Sequence, residues 1–311
     1  MKLWGKLTRM TNNDYHVPVL FNESIDALEI AADDLVIDVT YGGGGHSREI
    51  LNRLGENGTL LAFDQDDDAA ANLIDDERLV FANSNFRFMI NFVKFYDLLG
   101  VDSILADLGV SSHQFDAGDR GFSIREEGDL DMRMNQSSAL TAYHVVNKYA
   151  DKELYRVFNS YADLKNVHKV VQTILKQRRA NPIRTTKQLV DLMKELVKGN
   201  KQTQFLAQVF QAVRIEVNDE MGALEDLLEQ SVPVLREGGR LVVISYHSIE
   251  DRMVKNFIRS GNFAGELDKD MYGAVQKPLS AVNRKPIVPT AEEIERNPRA
   301  RSAKMRIAIK G

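Results

Sequence analysis

Four consecutive glycines, Gly42 to Gly45, stand between a short apolar run and the start of a helical pattern. Because glycine has no Cβ, a turn built from it bends sharply and lets the backbone approach a ligand that a side chain would exclude. Asp64 ends the next apolar run, 20 residues after Gly44, where an acid accepts hydrogen bonds from the ribose hydroxyls of an adenosine. Glycine turns also occur without a ligand, so it is the acid at this spacing that favours a nucleoside-binding site.

Two cofactors fit this arrangement, a nicotinamide dinucleotide and S-adenosylmethionine. A dinucleotide site has the pattern G-x-G-x-x-G, and Ser47 occupies the place of its third glycine. Asp38, at the end of the first apolar run, suits the cationic aminoacyl end of S-adenosylmethionine and would repel a pyrophosphate. The loop therefore favours S-adenosylmethionine and a methyltransferase over a dehydrogenase.

A third polar segment, from Asp107 to Gln114, follows another apolar run. In an open α/β sheet, ligands bind beyond the carboxyl ends of the strands at the point where the strand order reverses. We therefore expect this segment beside the glycine turn, facing the methyl group. For this segment alone the alternative is a capped turn, in which Asp107 and the serines satisfy backbone donors.

The elements that must position these segments are readable from residues 35–109, where short β-branched runs alternate with helical patterns. Strands and helices that alternate at this spacing indicate a parallel sheet covered on both faces. The sequence therefore predicts an α/β fold with a doubly wound, mostly parallel, Rossmann-like sheet, which brings all three polar segments to one edge.

The alternation stops over residues 119–204, where the segments are charged and helical in period. The α/β pattern then resumes, first with a predicted helix over 204–230 that the pair Gly238-Gly239 closes, and then with a buried strand. We expect a discontinuous sheet domain, residues 14–118 and 205–311, interrupted by an inserted helical domain at 119–204.

Composition limits the class of protein. The 311 residues are 43% apolar and 27% charged, which is typical of a folded globular chain. There is no cysteine and the six histidines are scattered, so we expect no metal centre and a reducing, cytoplasmic setting. No run has the length of a signal-peptide core near the start or of a membrane span later, so we expect neither export nor a membrane.

The charge distribution bears on partners. The net charge of −5 argues against a general nucleic-acid binder. Basic residues nevertheless cluster over 171–187 and again from 284 to the end. Such clusters are often only solvated faces, so composition alone leaves RNA binding open.

Six separated motifs occur in order along the chain. They are GGGGHS at 42–47, DLGVSSHQFD at 107–116, RGFSI with LDMRM between 120 and 134, FQAVRIEVNDE at 210–220, SYHSIEDR at 245–252, and NPRARSAKMR at 297–306. Together they resemble the ribosomal RNA small subunit methyltransferase H family, also called MraW, from His16 to almost the last residue. The resemblance implies a class I S-adenosylmethionine-dependent methyltransferase fold with a helical domain inserted after the fourth strand. It also implies methylation of the exocyclic N4 of cytidine 1402, in the decoding centre of 16S rRNA within the small (30S) ribosomal subunit.

The resemblance further implies the cofactor contacts. Carried onto this sequence, they fall on Gly44, Gly45, His46, Asp64, Phe86, Asp107 and Gln114. All seven are of the expected type or a usual alternative. Val39 departs from the pattern, since the family has a small residue there.

The amino nitrogen of cytosine is a poor nucleophile because its lone pair is delocalised into the ring, so attack needs acceptors that hold its N–H bonds. Amino-methyltransferases commonly place an Asp or Asn and backbone carbonyls at the end of the fourth strand, where Asp107 and Leu108 stand here. The usual Asp-Pro-Pro-aromatic sequence is absent, so Tyr246 is the candidate to stack the base. His247 is the candidate to accept or relay the proton. Tyr and His at a strand end serve in packing or capping about as often as in catalysis.

The basic segments then have a use. Six arginines are expected near the cleft to grip RNA phosphates: Arg178, Arg179, Arg184, Arg299, Arg301 and Arg306. One alternative is a non-catalytic RNA-binding or assembly factor, which would not need Gly44, Asp64 and Asp107 intact. Another is a methyltransferase acting on another RNA, a small-molecule amino group or a protein. The small-molecule and protein alternatives leave the basic segments without a purpose.

Overall fold

The computed structural model describes residues 18–111, 114–115, 118–269, 271, 273 and 276–311. Within these residues, strands from both halves of the sequence form one seven-stranded sheet. Several predicted features lie outside the described residues. They are the domain start at residue 14, the first residue of the family resemblance, His16, and three residues of the second motif, Ser112, His113 and Asp116.

The sheet joins five parallel strands to an antiparallel pair. In chain order the strands are β1 (Leu35–Asp38), β2 (Thr59–Asp64), β3 (Leu79–Asn83), β4 (Val101–Asp107), β5 (Leu235–Ser245), β6 (Leu279–Ala281) and β7 (Lys304–Lys310). Their spatial order is β3-β2-β1-β4-β5-β7-β6, with β7 antiparallel to both of its neighbours. The strand order reverses between β1 and β4, so a crevice is expected at the carboxyl ends of these two strands. The predicted α/β fold with a mostly parallel sheet is confirmed.

Successive residues of the central strands belong to two different hydrophobic cores. Val36 and Leu105 pack into the core on one face, whereas Ile37 and Ile104 pack into the core on the other. A strand that is buried on both faces cannot alternate apolar with polar residues. This is why these strands read as continuous apolar runs.

The helices cover both faces of the sheet and form the insertion. In chain order they are α1 (Phe21–Leu28), α2 (Gly45–Arg53), α3 (Asp67–Ala70), α4 (Met89–Phe95), α5 (Ala142–Lys148), α6 (Asp151–Tyr161), α7 (Val167–Ala180), α8 (Thr186–Lys194), α9 (Gln202–Asn218), α10 (Glu220–Val234), α11 (Ser248–Ser260) and α12 (Ala291–Arg296). Within the described ranges, no helix combines the length and the apolar character that crossing a membrane requires.

Helices α5 to α9 follow β4 and build a third hydrophobic core. Its buried side chains include Val145, Phe158 and Ile174, together with Val213 of α9. The expected helical insertion after the fourth strand is present, and α9 shares its core. The domain boundary at residue 204 stays a prediction, because Ile215 near the end of α9 packs into a core of the sheet.

The prediction of a single helix over 204–230 is wrong, because α9 and α10 divide this stretch. Asp219 lies between them with a left-handed backbone (φ 47°), which ends α9 and redirects the chain. The pair Gly238-Gly239 does not close the helix either, since α10 ends at Val234 and both glycines lie within β5. The apolar positions of the two helices continue one period, so the pattern does not reveal the break.

The antiparallel strands β6 and β7 are not among the predicted elements. The basic charge of the last residues suggests an RNA-binding tail, but Met305 and Ile307 are buried while Arg306 between them is less so. Met305 and Ile307 pack into one core of the sheet and Ala308 packs into the other, so both faces of this strand are covered.

Candidate active site

A cavity of about 550 Å³ opens at the carboxyl ends of β1, β2 and β4, at the predicted edge of the sheet. Six of the seven predicted cofactor residues line it: Gly45, His46, Asp64, Phe86, Asp107 and Gln114. Gly44 is not among the lining residues. Val39, the departure from the family pattern, lines the cavity but is almost fully buried.

Gly44 shapes the turn from within the fold. Its backbone is left-handed (φ +74°), and a Cβ on it would lie 2.8 Å from the Tyr41 hydroxyl oxygen. At Gly45 a Cβ would lie 2.6 Å from Cγ of Pro18. Close packing therefore favours glycine at both positions, and at Gly44 the backbone conformation favours it as well.

Asp64 holds the glycine turn and still faces the cavity. Its Oδ2 accepts a hydrogen bond from the backbone N–H of Gly42 at 2.8 Å, and its Oδ1 accepts one from that of Asp66 at 2.9 Å. Burial raises the pKa of Asp64 to about 6, although both hydrogen bonds lower it. Each carboxylate oxygen retains a lone pair, which suits it to accept further donors such as ribose hydroxyls.

The structure gives Asp38 a different role from the predicted one. Its side chain is fully buried and does not line the cavity. Its carboxylate accepts hydrogen bonds from the Ser47 hydroxyl at 2.7 Å and from the backbone N–H of Thr40 at 3.1 Å. Asp38 therefore braces the turn between β1 and α2 from a position outside the cavity wall.

Asp107 and Tyr246 meet at the end of the cavity beside Gly109. The Tyr246 hydroxyl donates to Oδ1 of Asp107 at 2.8 Å, and a Cβ on Gly109 would lie 3.4 Å from the Tyr246 ring. The hydroxyl of Thr40 accepts the backbone N–H of Asp107 at 2.7 Å and so fixes the end of β4. The structure thus brings together the predicted acceptor and the predicted aromatic residue.

Burial dominates the electrostatics of this pair. It raises the pKa of Asp107 to about 7; the hydrogen bond from Tyr246 lowers it, and the negative charges of Asp38 and Glu250 raise it further. The pKa of Tyr246 lies well above its ordinary value, because of burial and of the neighbouring carboxylate. Near pH 7 the tyrosine is a hydrogen-bond donor and Asp107 titrates.

His46 borders the same pair. Its Nδ1 lies 3.9 Å from Oδ2 of Asp107, and burial lowers the pKa of His46 to about 4, so the ring is neutral near pH 7. Its Nε2 is buried and has no hydrogen-bond partner among the described residues. A buried polar atom without a partner on the wall of a cavity is suited to meet a polar group of a ligand.

A model of the MraW methylase family matches residues 13–311 of the chain. The chain belongs to the MraW methylase family. A ribosomal RNA small subunit methyltransferase H from Parabacteroides distasonis is 54% identical, over 95% of this chain and 97% of that protein. Its counterpart from Christiangramia forsetii is 52% identical, over 96% of this chain and 98% of that protein. Among solved structures, an rRNA methylase from Streptococcus thermophilus is a distant likeness, with 12% identity, a TM-score of 0.40 and coverage of 95% of this chain and 98% of that one.

Membership of the MraW methylase family identifies the chain as a methyltransferase and confirms the resemblance carried by the motifs. The predicted catalytic histidine, His247, does not line the cavity, however. Its Nδ1 accepts the backbone N–H of Glu250 at 3.3 Å, which makes it the N-cap of α11. This geometry gives His247 a capping role and leaves Asp107 and Tyr246 in the cavity.

Two MraW motifs close one side of the cavity in a way that the sequence analysis did not identify. Arg120 of the RGFSI motif donates to Oδ2 of Asp66 at 2.9 Å and to the carbonyl of Met134 at 3.1 Å. Gln114 donates to the same Asp66 oxygen at 2.5 Å. Asp66 therefore ties the insertion to the end of β2. Arg120 and Gln114, a charged and a polar residue in two of the quoted motifs, were the available signal.

The basic residues of this MraW methylase divide into two groups. Arg178 is mostly buried and donates to the carbonyls of Val146 at 3.1 Å and Tyr149 at 2.8 Å. Arg306 is likewise buried and donates to Asp251 at 2.7 Å. These two arginines, both expected to grip RNA, are engaged within the fold.

The other predicted arginines differ from these two. Arg179, Arg184, Arg299 and Arg301 are exposed. The guanidinium of Arg299 lies 5.4 Å from the centre of the Phe115 ring. Phe115 follows Gln114 of the cavity wall, so this part of the C-terminal segment lies near the cavity.

Proposed function

We propose that the chain transfers a methyl group from S-adenosylmethionine to the exocyclic N4 of cytidine 1402, in the decoding centre of 16S rRNA within the small (30S) ribosomal subunit. The observation that carries this proposal is the Asp107–Tyr246 pair at the end of β4, beside the glycine turn. The 52 to 54% identical relatives, whose names state that they methylate small-subunit ribosomal RNA, support the choice of substrate.

The cavity fits S-adenosylmethionine in volume and in charge. Pockets for drug-sized ligands and cofactors have volumes of roughly 300 to 1,000 Å³. The carboxylates of Asp64 and Asp107 on the wall suit a cationic ligand. Gly45, His46 and Gln114 would hold the cofactor along with Asp64 and Phe86, which follows β3. When bound, S-adenosylmethionine would supply an electrophilic methyl group on its sulfonium.

Asp107 and Tyr246 supply the chemistry that the cytosine amino group needs. The Asp107 carboxylate accepts an N–H bond of this group and so restores the lone pair that ring delocalisation withdraws. Tyr246 fixes that carboxylate through its hydroxyl and offers its ring as a surface against which an extruded base can stack. Asp107, with its pKa near 7, is also the group that we assign to take the proton released after transfer.

The exposed arginines then serve RNA binding. Arg179 and Arg184 lie on the insertion, and Arg299 and Arg301 lie on the C-terminal segment. Contacts from these guanidinium groups to phosphates would orient the substrate without reading its sequence. A ribosomal substrate implies work in the cytoplasm, and the mechanism needs no metal and no membrane.

The test is methylation of small ribosomal subunits purified from cells that lack the enzyme. Labelled S-adenosylmethionine and the pure protein are added, and the modified nucleotide is mapped by mass spectrometry. We expect one added methyl group, on N4 of the decoding-centre cytidine, and a far slower addition with Asp107→Ala. A methyl group on another nucleotide, on ribosomal protein or only on free small amines would overturn the assigned substrate.

A further inference from the structure

Glu250 holds the backbone that carries Tyr246, although it does not touch the cavity. This glutamate is the third residue of α11, and its side chain is 4% exposed. Its Oε2 accepts the backbone N–H of Tyr246 at 2.8 Å and that of His247 at 3.3 Å. Tyr246 is therefore fixed at two ends, with its amide at Glu250 and its hydroxyl at Asp107.

A buried carboxylate persists only when hydrogen-bond donors and opposite charges compensate for its desolvation. Burial would raise the pKa of Glu250, but His247, the Tyr246 N–H and Arg214 together hold it below its ordinary value. Arg214 lies on α9, which shares the core of the insertion. It donates two hydrogen bonds to Glu220, at 2.8 and 2.9 Å. The network therefore joins the insertion to the turn that bears Tyr246.

Glu220, His247 and Glu250 lie close enough together to suggest a metal site, with ligand atoms within 4.8 Å of one another. Two contacts argue for an ion-pair network. Arg214 already engages both oxygens of Glu220. His247 Nδ1 accepts a backbone N–H, which puts the ring proton on Nε2, 3.1 Å from Glu250. That nitrogen then has no lone pair for a metal.

We propose that Glu250 is a positioning residue for methyl transfer, which sets the place of Tyr246 against Asp107 and receives support from the insertion through Arg214. This inference rests on the proposed function, because it assigns Glu250 to the role of Tyr246 in that reaction. Since Glu250 stands outside the cavity, its removal should affect the transfer step and leave cofactor binding largely intact.

The experiment is a double-mutant cycle on the full-length protein. Single-turnover rates on small subunits are measured at saturating S-adenosylmethionine for the wild type, Glu250→Ala, Tyr246→Ala and the double variant. We expect Glu250→Ala to lower the rate about 10- to 100-fold, the loss typical of a misplaced catalytic group. In the Tyr246→Ala background the same change should cause no further loss, because no side chain is left to position.

Two matched variants separate positioning from general stability. Glu250→Gln keeps the volume and an acceptor oxygen for the Tyr246 N–H, so it should recover part of the rate. Asp251→Ala removes a buried carboxylate on the same helix, whose partners are Arg306 and Lys304. It should lower the free energy of unfolding while the folded enzyme keeps its rate.

A readout independent of activity completes the test. 3-Fluorotyrosine at position 246 gives a fluorine resonance that should move in Glu250→Ala and stay in place in Asp251→Ala. Multiplicative losses in the cycle, or an unmoved resonance, would overturn the positioning role of Glu250. A full rate in Tyr246→Ala would instead refute the proposed role of Tyr246, and the resonance would still decide whether Glu250 fixes the ring.

Discussion

The Asp107 carboxylate borders the cavity and accepts a hydrogen bond from the Tyr246 hydroxyl at 2.8 Å. We expect Asp107→Ala to lower the single-turnover rate about 100-fold or more even at saturating S-adenosylmethionine, because an acceptor that strengthens as the nitrogen reacts acts mainly in the transition state. Rapid quench of a single turnover measures this directly. A full rate at saturation would make Asp107 a binding residue only, and the chemistry would fall to Tyr246 or to backbone carbonyls.

The raised pKa of Asp107 predicts proton release on cofactor binding. With a pKa of about 7 in the free protein, Asp107 is about half protonated at pH 7. A cationic sulfonium nearby favours the ionised form and lowers this pKa, so binding expels the proton. Calorimetry at pH 7 in buffers of different ionisation enthalpy should give a release of up to about half a proton.

Two controls identify the source of that proton. S-Adenosylhomocysteine has no sulfonium charge and should release fewer protons than S-adenosylmethionine. Asp107→Asn should remove the difference between the two ligands. An unchanged release from Asp107→Asn would assign the proton to another group, of which Asp64 is the nearest in pKa.

At the scale of elements, the turn between β1 and α2 depends on Gly44 both for its left-handed backbone and for the room that the missing Cβ leaves beside Tyr41. Gly44→Ala places a Cβ 2.8 Å from the Tyr41 hydroxyl oxygen on a left-handed backbone. The left-handed conformation alone costs about 1 to 2 kcal/mol for alanine. Gly100 has the same conformation (φ +76°) with nothing within 4 Å of the added Cβ, and it lies far along the chain from the turn.

The comparison of Gly44→Ala with Gly100→Ala therefore separates strain from contact. Both should lower the free energy of unfolding in urea, and Gly44→Ala should do so by a larger amount. Only Gly44→Ala should weaken S-adenosylmethionine binding in calorimetry. Equal destabilisation with unchanged affinity in both variants would show that the packing of Tyr41 adjusts freely and that the turn does not shape the site.

At the scale of the whole molecule, the two classes of arginine should separate stability from RNA binding. Arg178→Ala leaves two carbonyls without their donor, so the free energy of unfolding should fall by about 1 to 3 kcal/mol. Arg179→Ala combined with Arg184→Ala alters two exposed side chains and should change stability by roughly 0.5 kcal/mol or less. Binding to small subunits is measured over a range of salt concentrations. The slope of the logarithm of the binding constant against the logarithm of salt concentration should become shallower by about one to two, and only in the variant of the exposed pair. The reverse assignment of the two effects would contradict an RNA surface on the insertion.

Local patterns in the sequence determined the class of fold and most of the cavity wall. Strands that are buried on both faces read as continuous apolar runs, and the glycine turn and Asp64 stand at the fixed spacing that a nucleoside site requires. The glycine turn, Asp64 and residues of the segment from Asp107 to Gln114 lie at the cavity for this reason, whereas the choice of Phe86 came from the family resemblance. Each of these signals depends on residues close together in the chain, so no knowledge of distant neighbours is needed to read it.

Only the tertiary structure decided what the remaining polar residues do. Asp38 and His247 stand at strand ends that the sequence marks correctly, yet Asp38 turns inward to Ser47 and His247 caps α11. Arg178 and Arg306 are indistinguishable in sequence from arginines that reach solvent. Their partners lie 29 and 55 residues away along the chain, at Tyr149 and Asp251. Unpaired polar groups are costly inside a protein, so a buried polar side chain pairs with whichever polar groups surround it. Only the fold brings those groups together, because they lie far apart along the chain.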